Sequence, residues 1–344
     1  MGDSTGTGVT GATATATGTG AERRGVLRGM VAAGAAALAG WRLVGTAAAA
    51  PGTSGGSARA VTCRAGPFEV LALQDAHGPF PGTARETFPG AGEADWSRAR
   101  RLDPAAFGPD DTWKLDFRCH AIRGPGGRVT LIDSGVGPLG SPASGWAPVP
   151  GHLPQVLEAA GIAPRDVETV VLTHLHEDHY GWAVSPEGVP LFPEARHVVQ
   201  RAETAALGED DTARSYVVAP LREAGLLHEV DGRVRLLRSR RTGGAVTLVP
   251  TPGHTPGHQS VLVDGGARRV VVTGDVLVHA VQLANPGVAY RLEADQATAR
   301  RTREALLAEA RAHRAVLATS HLNRPFVPSP PVARANARAR TRGS

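Results

Sequence analysis

The stretch VETVVLTHLHEDH, from Val167 to His179, joins an apolar run to a dense polar cluster. Its first seven residues have the β-branched, apolar character of a short buried strand. Three histidines and an aspartate follow within six positions. Burying so many polar groups is costly unless a cation gathers them. We therefore expect a metal site at the end of this strand; the alternative is a solvated polar loop.

The spacing within the cluster predicts two ligand pairs. On a loop that leaves a strand, His174 and His176 can point to one side, whereas Asp178 and His179 turn toward another. One segment can then supply two adjacent metal ions with two ligands each.

The pattern of an apolar strand that ends in a candidate ligand recurs three times. The run Ala245 to Pro250 leads into TPGHTPGH, where rigid Pro-Gly turns fix His254 in space. The run Arg269 to Thr273 leads to Asp275, whose carboxylate could bridge two metals, and a last apolar run is followed by His321. Five histidines and two aspartates from four strand ends predict a dinuclear site.

The order of elements predicts an α/β fold. Strands are expected at Phe68 to Gln74, Trp113 to Ile122, Arg128 to Asp133, Ser260 to Val263 and Ala315 to Thr319, with helices at Leu153 to Ala160 and from Asp295 to about Ala312. Strands followed by helices, twice over, indicate two sheets packed face to face with helices outside.

The succession H-x-H-x-D-H, T-P-G-H, Asp and late His resembles the metallo-β-lactamase-fold hydrolases, over roughly residues 65–327. The resemblance implies an αββα sandwich of two mixed β-sheets. It implies that one metal is held by His174, His176 and His254, that the second is held by Asp178, His179 and His321, and that Asp275 bridges them. By the same resemblance Asp133 holds a ligand histidine by its other ring nitrogen, and His258 is structural.

The donor set and the resemblance together imply two divalent metal ions. Imidazoles and carboxylates without a thiolate fit Zn²⁺, and Mn, Co or Fe would also be accepted. Two such ions can share a hydroxide that is nucleophilic at neutral pH. Asp178 is placed to hold its proton and to pass it to the leaving group.

Local features narrow the expected substrate. The residues after His179, Tyr180-Gly181-Trp182, are typical of a branch with lactonase and esterase members. The run Asp275 to Gln282 and the later Ser320-His321-Leu322 resemble the methyl parathion hydrolase branch. The best-known N-acyl homoserine lactonases place a tyrosine three residues after the bridging aspartate, where this chain has Val278. We therefore expect hydrolysis of an ester, lactone or phosphotriester.

Two segments are expected to border the substrate pocket. They run from Pro79 to Arg101 and from Pro138 to Gly151, and both are rich in glycine and proline. The pocket is expected to be lined by three tryptophans, Trp96, Trp146 and Trp182, although a loop tryptophan is as often simple packing.

Other activities fit the same fold less well. A β-lactamase-type or thioester hydrolase shares the ligand motif, which does not distinguish substrates. A single-iron oxidoreductase would need fewer ligands, and a non-catalytic secreted binding protein would not need them at all.

The charge of the 344-residue chain is concentrated at its ends. Its 37 Lys and Arg exceed its 32 Asp and Glu, for a net charge of +5. Residues 1–50 contribute +2 and residues 334–342 contribute +4, so the body between them is close to neutral. We therefore expect a small-molecule substrate and no nucleic-acid partner, and the sequence leaves a homodimer open.

The N-terminal segment resembles an export signal. Paired arginines at Arg23 and Arg24 precede an apolar stretch that is too short to span a membrane, and a small-residue run ends at Ala50. We expect a disordered leader with a twin-arginine-type signal over residues 1–50, a single domain over 51–330 and an arginine-rich flexible tail over 331–344. Cleavage near Ala50 would give an exported protein without a stable membrane span; an uncleaved tether is the alternative.

The chain has two cysteines, Cys63 and Cys119. Outside the cell they could form a disulfide if their strands are neighbours, and two free buried thiols are the other outcome.

Overall fold

The computed structural model describes residues 59–240 and 242–329. The leader predicted over residues 1–50, the start of the predicted domain at residue 51 and the tail predicted over 331–344 lie outside the described residues. Among the described residues, no helix combines the length and the apolar character that crossing a membrane requires.

The strands form two sheets. The first contains seven strands in the order β1 (Ala60–Ala65), β2 (Phe68–Thr83), β3 (Thr112–Arg123), β4 (Val129–Ile132), β5 (Val167–Val171), β6 (Arg196–Gln200) and β7 (Leu227–Val230). The second contains six, in the spatial order β13 (Phe326–Pro328), β12 (Val316–Ala318), β11 (Arg269–Val272), β10 (Gln259–Asp264), β9 (Ala245–Pro250) and β8 (Val234–Arg238).

Both sheets are mixed. In the first, β1 to β4 pair antiparallel, and β4 to β7 pair parallel. In the second, β11 and β12 form the parallel pair, and the other neighbours are antiparallel.

Eight α-helices connect the strands. They are α1 (Ala84–Thr87), α2 (Glu93–Leu102), α3 (Leu153–Ala159), α4 (Glu177–Tyr180), α5 (Arg201–Ala206), α6 (Ala219–Glu223), α7 (Ala280–Ala284) and α8 (Gln296–Ala312) within the described ranges. Helix α8 begins after Asp295, where the sequence predicts its start, and the Asp295 side chain caps it by accepting from the Thr298 amide.

The core between the sheets consists of inward-facing aliphatic side chains. Val70, Ile132 and Val171 of the first sheet pack with Val261 and Val272 of the second, and all five are fully buried. Alternate residues point the other way, so that Leu71 and Val170 pack under helices α3 and α6. A further apolar layer joins α2, α7 and α8 on the outside of the second sheet. The predicted fold class, two mixed sheets face to face with helices outside, is confirmed.

The two cysteines are free thiols. Cys63 lies on β1 and Cys119 on β3, and β2 runs between these strands. Strands two positions apart are separated by roughly 10 Å, beyond the reach of a disulfide. Of the two outcomes left open by the sequence, the structure therefore shows two free buried thiols.

The segment from Pro79 to Arg101, for which the sequence predicts no helix, contains regular structure. It continues β2 to Thr83 and then forms α1 and α2. Helix α2 has few large apolar residues, and its buried face carries Trp96 and Ala99. A pattern this polar gave little helical signal in the sequence.

A bulge in β2 directs Asp75 into the loop that follows β4. Its carboxylate accepts hydrogen bonds from the amides of Val136 and Leu153, at 2.7 and 2.6 Å, and from the indole of Trp182 at 3.1 Å. Burial raises the pKa of Asp75 from 3.8 to about 6, against the opposing effect of these bonds. Asp75 thus holds both ends of the loop that borders the candidate site.

The raised pKa of Asp75 makes stability depend on pH. Because the folded state holds the proton more tightly, the stabilising contribution is complete below pH 3.8 and is lost as pH rises through 6. We expect the stability advantage of the wild type over Asp75→Asn, measured by urea unfolding of metal-free protein, to fall by about 2 kcal/mol from pH 4 to pH 7. An advantage that is constant or that grows over this range would contradict the assignment.

Candidate metal centre

The ligand-bearing turns meet at one end of the sandwich. Strand β5 leads into His174 and His176, and the short helix α4 carries Asp178 and His179. The turn between β9 and β10 carries His254, the turn after β11 carries Asp275, and the turn after β12 carries His321. The structure therefore brings together all seven residues for which the sequence predicts a metal-binding role.

The seven side chains form two groups that could each hold a metal ion. His174, His176, His254 and Asp275 make the first group, and Asp178, His179 and His321 make the second. Within each group the donor atoms lie within 4.8 Å of one another.

In the first group the donor atoms are closely packed. Nδ1 of His176 lies 3.0 Å from Nε2 of both His174 and His254. Oδ2 of Asp275 lies 3.3 Å from Nε2 of His254 and 3.8 Å from that of His174.

The second group is arranged around the other oxygen of Asp275. Oδ1 of Asp275 lies 3.1 Å from Nε2 of His321 and 3.4 Å from Nε2 of His179. Oδ2 of Asp178 lies 3.6 and 3.5 Å from the same two nitrogens. Asp275 therefore presents one oxygen to each group.

These distances fit a bound cation. Nitrogen and oxygen donors of tetrahedral zinc sit at about 2.0–2.2 Å from the ion and hence roughly 3.3 Å from one another. The buried Oδ1 of Asp275 accepts no hydrogen bond from the described residues, which is costly for a carboxylate. A cation between Asp275 and the imidazoles would satisfy that oxygen.

Hydrogen bonds orient three of the imidazoles. Nδ1 of His179 donates to Oδ2 of Asp133 at 2.9 Å, and Nδ1 of His321 donates to the carbonyl oxygen of Asp116 at 3.0 Å. Nδ1 of His174 lies 3.1 Å from the Thr173 hydroxyl, which itself donates to Asp133. In each ring the donor role of Nδ1 leaves an Nε2 lone pair facing the cluster.

Asp133 sits at the end of β4 in a left-handed conformation, with φ at 59°. Its carboxylate also accepts from the Thr173 amide at 2.8 Å. A positive φ is unfavourable for a residue other than glycine, and these bonds compensate for it. The structure therefore places Asp133 against His179 and behind the cluster.

His258 contacts the backbone of Asp275 and not the donor atoms. Its Nε2 accepts from the Asp275 amide at 2.9 Å, and its Nδ1 lies 2.8 Å from the Thr251 hydroxyl. Burial lowers the pKa of His258 to about 4, so the ring is neutral and Nε2 can accept. His258 therefore holds the turn that carries Asp275.

Burial and neighbouring charges shift the pKa values of the clustered side chains. Burial, with the neighbouring imidazoles of His179 and His176, holds the pKa of His174 well below its ordinary value. For Asp275, burial opposes ionisation, but His321 and His179 outweigh it and hold the pKa well below the ordinary value. His174 and Asp275 are thus in the neutral and ionised forms that bind a metal, whereas Asp178, Asp275 and Asp133 outweigh burial and raise the pKa of His179, whose Nε2 proton a bound metal would displace.

A cavity of about 780 Å³ opens over the cluster. Its walls include His176, Asp178, Asp275 and His321, and its aromatic side is formed by Phe80, Trp113, Trp146 and Tyr290. The lining also includes the acidic residues Glu177, Asp210 and Asp211 and the basic residue Arg291, all exposed except the half-buried Glu177. This size is typical of a small-molecule site.

The tryptophan predictions are corrected in part. Trp146 lines the cavity, and its indole donates to Glu177 at 2.6 Å. Trp96 faces away from the cavity, because the inner side of α2 packs it against Phe107 and His279. Trp182 is bound to Asp75 and packs under the first sheet, so neither Trp96 nor Trp182 is a wall residue.

Sequence reasoning missed other residues at this site. Trp113 and Phe80 belong to strands, and alternation alone did not show that their side chains point toward the cluster. Tyr290 stacks on the ring of His254, with centroids 5.8 Å apart and an angle of 12°. No local pattern marks Tyr290, because it lies in a turn far from the ligand motifs.

Comparison with known proteins agrees with the fold and the motif. Residues 118–321 match the family model of the metallo-β-lactamase superfamily. The chain belongs to this superfamily. The match covers more than half of the chain and includes all seven clustered residues, of which His321 is the last residue matched.

Curated relatives match over shorter segments. The N-acyl homoserine lactonase AttM of Rhizobium radiobacter is 36% identical over 110 residues, which are 31% of this chain and 40% of that protein. The probable metallo-hydrolase Rv2300c of Mycobacterium tuberculosis is 36% identical over 144 residues, which are 36% of this chain and 41% of that protein. This chain thus spans about two fifths of the length of each relative.

Solved structures share the fold more completely. The hydrolase AbOPH of the β-lactamase superfamily superposes with a TM-score of 0.63 at 24% identity, covering 78% of this chain and 92% of that one. The dizinc quorum-quenching lactonase AidC superposes with a TM-score of 0.62 at 18% identity, covering 81% of this chain and 100% of that one.

The clustered geometry predicts that metal is lost when a central donor is removed. We expect Asp275→Ala and His179→Ala to bind fewer zinc ions per chain than the wild type, measured by elemental analysis after dialysis. Removal of partners that merely orient a ligand already weakens metal binding about 10- to 100-fold, and loss of a donor should exceed this.

His228→Ala provides the matched control, because His228 is exposed on β7. This variant should bind as much zinc as the wild type. If Asp275→Ala and His179→Ala retain two ions with wild-type affinity, the two groups are not metal sites.

Proposed function

We propose that this chain is a hydrolase that uses two divalent metal ions to cleave a neutral, moderately hydrophobic ester, lactone or phosphotriester. The observation that carries the proposal is the position of Asp275, whose two oxygens face two separate groups of imidazoles and carboxylate. A bridging carboxylate at the floor of a cavity is suited to a dinuclear centre. Zn²⁺ is the metal that the donor set favours.

The proposed centre has His174, His176 and His254 as ligands of one ion, Asp178, His179 and His321 as ligands of the other, and Asp275 between them. When bound, two such ions lower the pKa of water and polarise the bond under attack. The remaining chemistry belongs to the side chains around them.

Asp178 is the proposed proton carrier. Its carboxylate is buried beside His179 and His321 and also lines the cavity. It can therefore contact both the centre and a substrate above it. A carboxylate at this position can hold the proton released by attacking water and return it to the leaving group.

Tyr290 is the proposed hydrogen-bond donor to the substrate. The ring is buried against His254, and burial with the nearby carboxylates Asp275 and Asp178 raises the pKa of the phenol well above its ordinary value. The hydroxyl therefore stays protonated at neutral pH and can donate to a carbonyl or phosphoryl oxygen. Tyr290 would thus take the role of the tyrosine that the best-known N-acyl homoserine lactonases have at the position of Val278.

The cavity wall supports a neutral substrate. Aromatic rings on one side offer apolar contact area, and the carboxylates of Glu177, Asp210 and Asp211 in the lining outnumber the guanidinium of Arg291. A substrate that carries its own carboxylate would be repelled there. This arrangement favours esters, lactones and phosphotriesters over β-lactams, which are anionic at neutral pH.

Among the three proposed types of substrate, a lactone has additional support. The name of AttM describes an N-acyl homoserine lactonase, and AidC is described as a dizinc lactonase. The acyl chain of such a lactone could lie along the aromatic side of the cavity.

A substrate panel tests the proposal. We expect zinc-loaded protein to hydrolyse p-nitrophenyl acetate, an acyl homoserine lactone or a phosphotriester, and to act on nitrocefin at least about tenfold more slowly, the equivalent of about 1.4 kcal/mol. Thioesters belong in the panel as members of the same reaction class. Zero turnover on every substrate by protein that holds two ions would instead support a binding protein, and one iron per chain would support an oxidoreductase.

The role of Tyr290 gives a further expected result. Tyr290→Phe keeps the stacked ring and removes the hydroxyl, so kcat on the preferred substrate should fall about tenfold, the value of one hydrogen bond of about 1.4 kcal/mol. Zinc content should not change. Tyr216→Phe is the matched control, since its hydroxyl lies near the carbonyls of Gly181 and Val184 and not in the cavity. Equal kcat in wild type and Tyr290→Phe would remove Tyr290 from the mechanism.

Export is proposed on the sequence alone. The paired arginines, the short apolar stretch and the small residues before Pro51 support a twin-arginine-type signal. In a host with that pathway, replacing Arg23 and Arg24 by lysine should retain the protein inside the cell, as followed by fractionation. Unchanged export of the double variant would contradict the proposal.

A further inference from the structure

Two of the turns that carry the first ligand group share one acceptor. The amide of Leu175 lies between His174 and His176, and the amide of Gly257 lies in the turn that begins with His254. Both amides donate to the carboxylate of Glu203, Leu175 to Oε1 at 2.9 Å and Gly257 to Oε2 at 2.8 Å. One side chain therefore connects two turns that are about 80 residues apart in sequence.

The topology explains how Glu203 reaches both turns. Strand β6 lies parallel to β5, so both strands end at the same edge of the sheet. Helix α5 begins directly after β6 and places Glu203 behind the loop that follows β5. The turn between β9 and β10 reaches the same edge from the second sheet. Glu203 therefore lies between this turn and the loop that follows β5.

The backbone contact between Glu203 and Gly257 is close. A Cβ atom on Gly257 would lie 2.1 Å from the backbone nitrogen of Glu203. No other residue type fits at position 257 without separating the turn from α5. Gly257 thus allows the turn to approach α5 closely enough for its amide to donate to the Glu203 carboxylate.

The charge of Glu203 is not balanced by a basic side chain. The residue is 3% exposed, and none of the ion pairs among the described residues includes it. Burying a carboxylate without a cationic partner is costly, and two amide donors offset only part of that cost. A dication held by the neighbouring imidazoles would offset more of it, because electrostatic attraction acts over several ångströms in a buried site.

We propose that Glu203 is a positioning residue that holds the two turns at the separation required by the first metal ion. The 3.0 Å distance of Nδ1 of His176 from Nε2 of both His174 and His254 is then set before the ion binds. Without Glu203 the two turns could move apart, and the ion would have to bring them together. This inference rests on the proposed dinuclear centre and adds to it a residue that does not touch the metal.

Stepwise zinc binding tests the inference. Metal-free wild type, Glu203→Gln, Glu203→Ala and His254→Ala are titrated with zinc in competition with a chromophoric chelator. The step that His254→Ala abolishes identifies the first group. Gln keeps one acceptor oxygen and turns its amide nitrogen toward the other N–H, so it should release one turn, whereas Ala should release both. We expect the dissociation constant of that step to rise about 10- to 100-fold in Glu203→Gln and further in Glu203→Ala.

A second measurement separates positioning from simple packing. Urea unfolding of each metal-free variant reports stability without the ion, and Glu229→Gln serves as the matched control, because Glu229 contacts the outer side of α5 through Thr204 and Arg201. Glu229→Gln should leave both zinc constants within twofold of the wild type. If Glu203→Ala does not fold, Glu203→Gln still decides the question.

The outcomes distinguish this inference from the proposed function. If the wild type binds two ions and Glu203→Gln binds them with unchanged constants, the inference alone is overturned, even if the variant is less stable. An equal rise of both constants together with lower stability would also overturn it, because that result indicates general loosening. If the wild type binds no zinc, both the proposed function and this inference fall.

Discussion

The structure depends on gathering seven candidate metal-binding side chains, six of them buried, at one point between two sheets. Five imidazoles and two carboxylates lie with donor atoms 3.0 to 3.8 Å apart, and most are less than 5% exposed. Packed so closely without a cation, such groups would repel one another or lack hydrogen bonds. The sandwich meets this constraint because β5, β9, β11 and β12 end at the same place. Each donor therefore follows closely after the end of a rigid strand.

Several of the donors are held by partners that do not themselves belong to the cluster. Asp133 and the Asp116 carbonyl orient His179 and His321, and His258 holds the backbone of Asp275. Arg118 extends this support, because its buried guanidinium donates to the carbonyl oxygens of Thr319 and Leu322 on either side of His321. The arrangement therefore consists of a cluster of donors and a surrounding layer of hydrogen bonds that limits their motion.

Sequence patterns predicted the parts of this arrangement that are local. The strand before His174, the turn around His254 and the start of α8 at Asp295 each have a signal within a few residues, and the structure shows all three elements. Contacts that join distant segments left no such signal: Glu203 beside Gly257, Tyr290 stacked on His254, and Trp113 in the cavity wall are products of packing. Trp96 is a local prediction that packing overturned. Its segment forms helix α2, and the side chain packs against His279 in the core and not into the cavity.

The proposed centre requires that Asp275 lies between two metal ions. Crystals of zinc-loaded protein, measured at the zinc absorption edge, test it directly through the anomalous difference density. We expect two peaks roughly 3.5–4 Å apart, one beside His174, His176 and His254 and the other beside Asp178, His179 and His321, with an oxygen of Asp275 next to each. A single peak, or two peaks that Asp275 does not contact, in protein that turns over its substrate would contradict it.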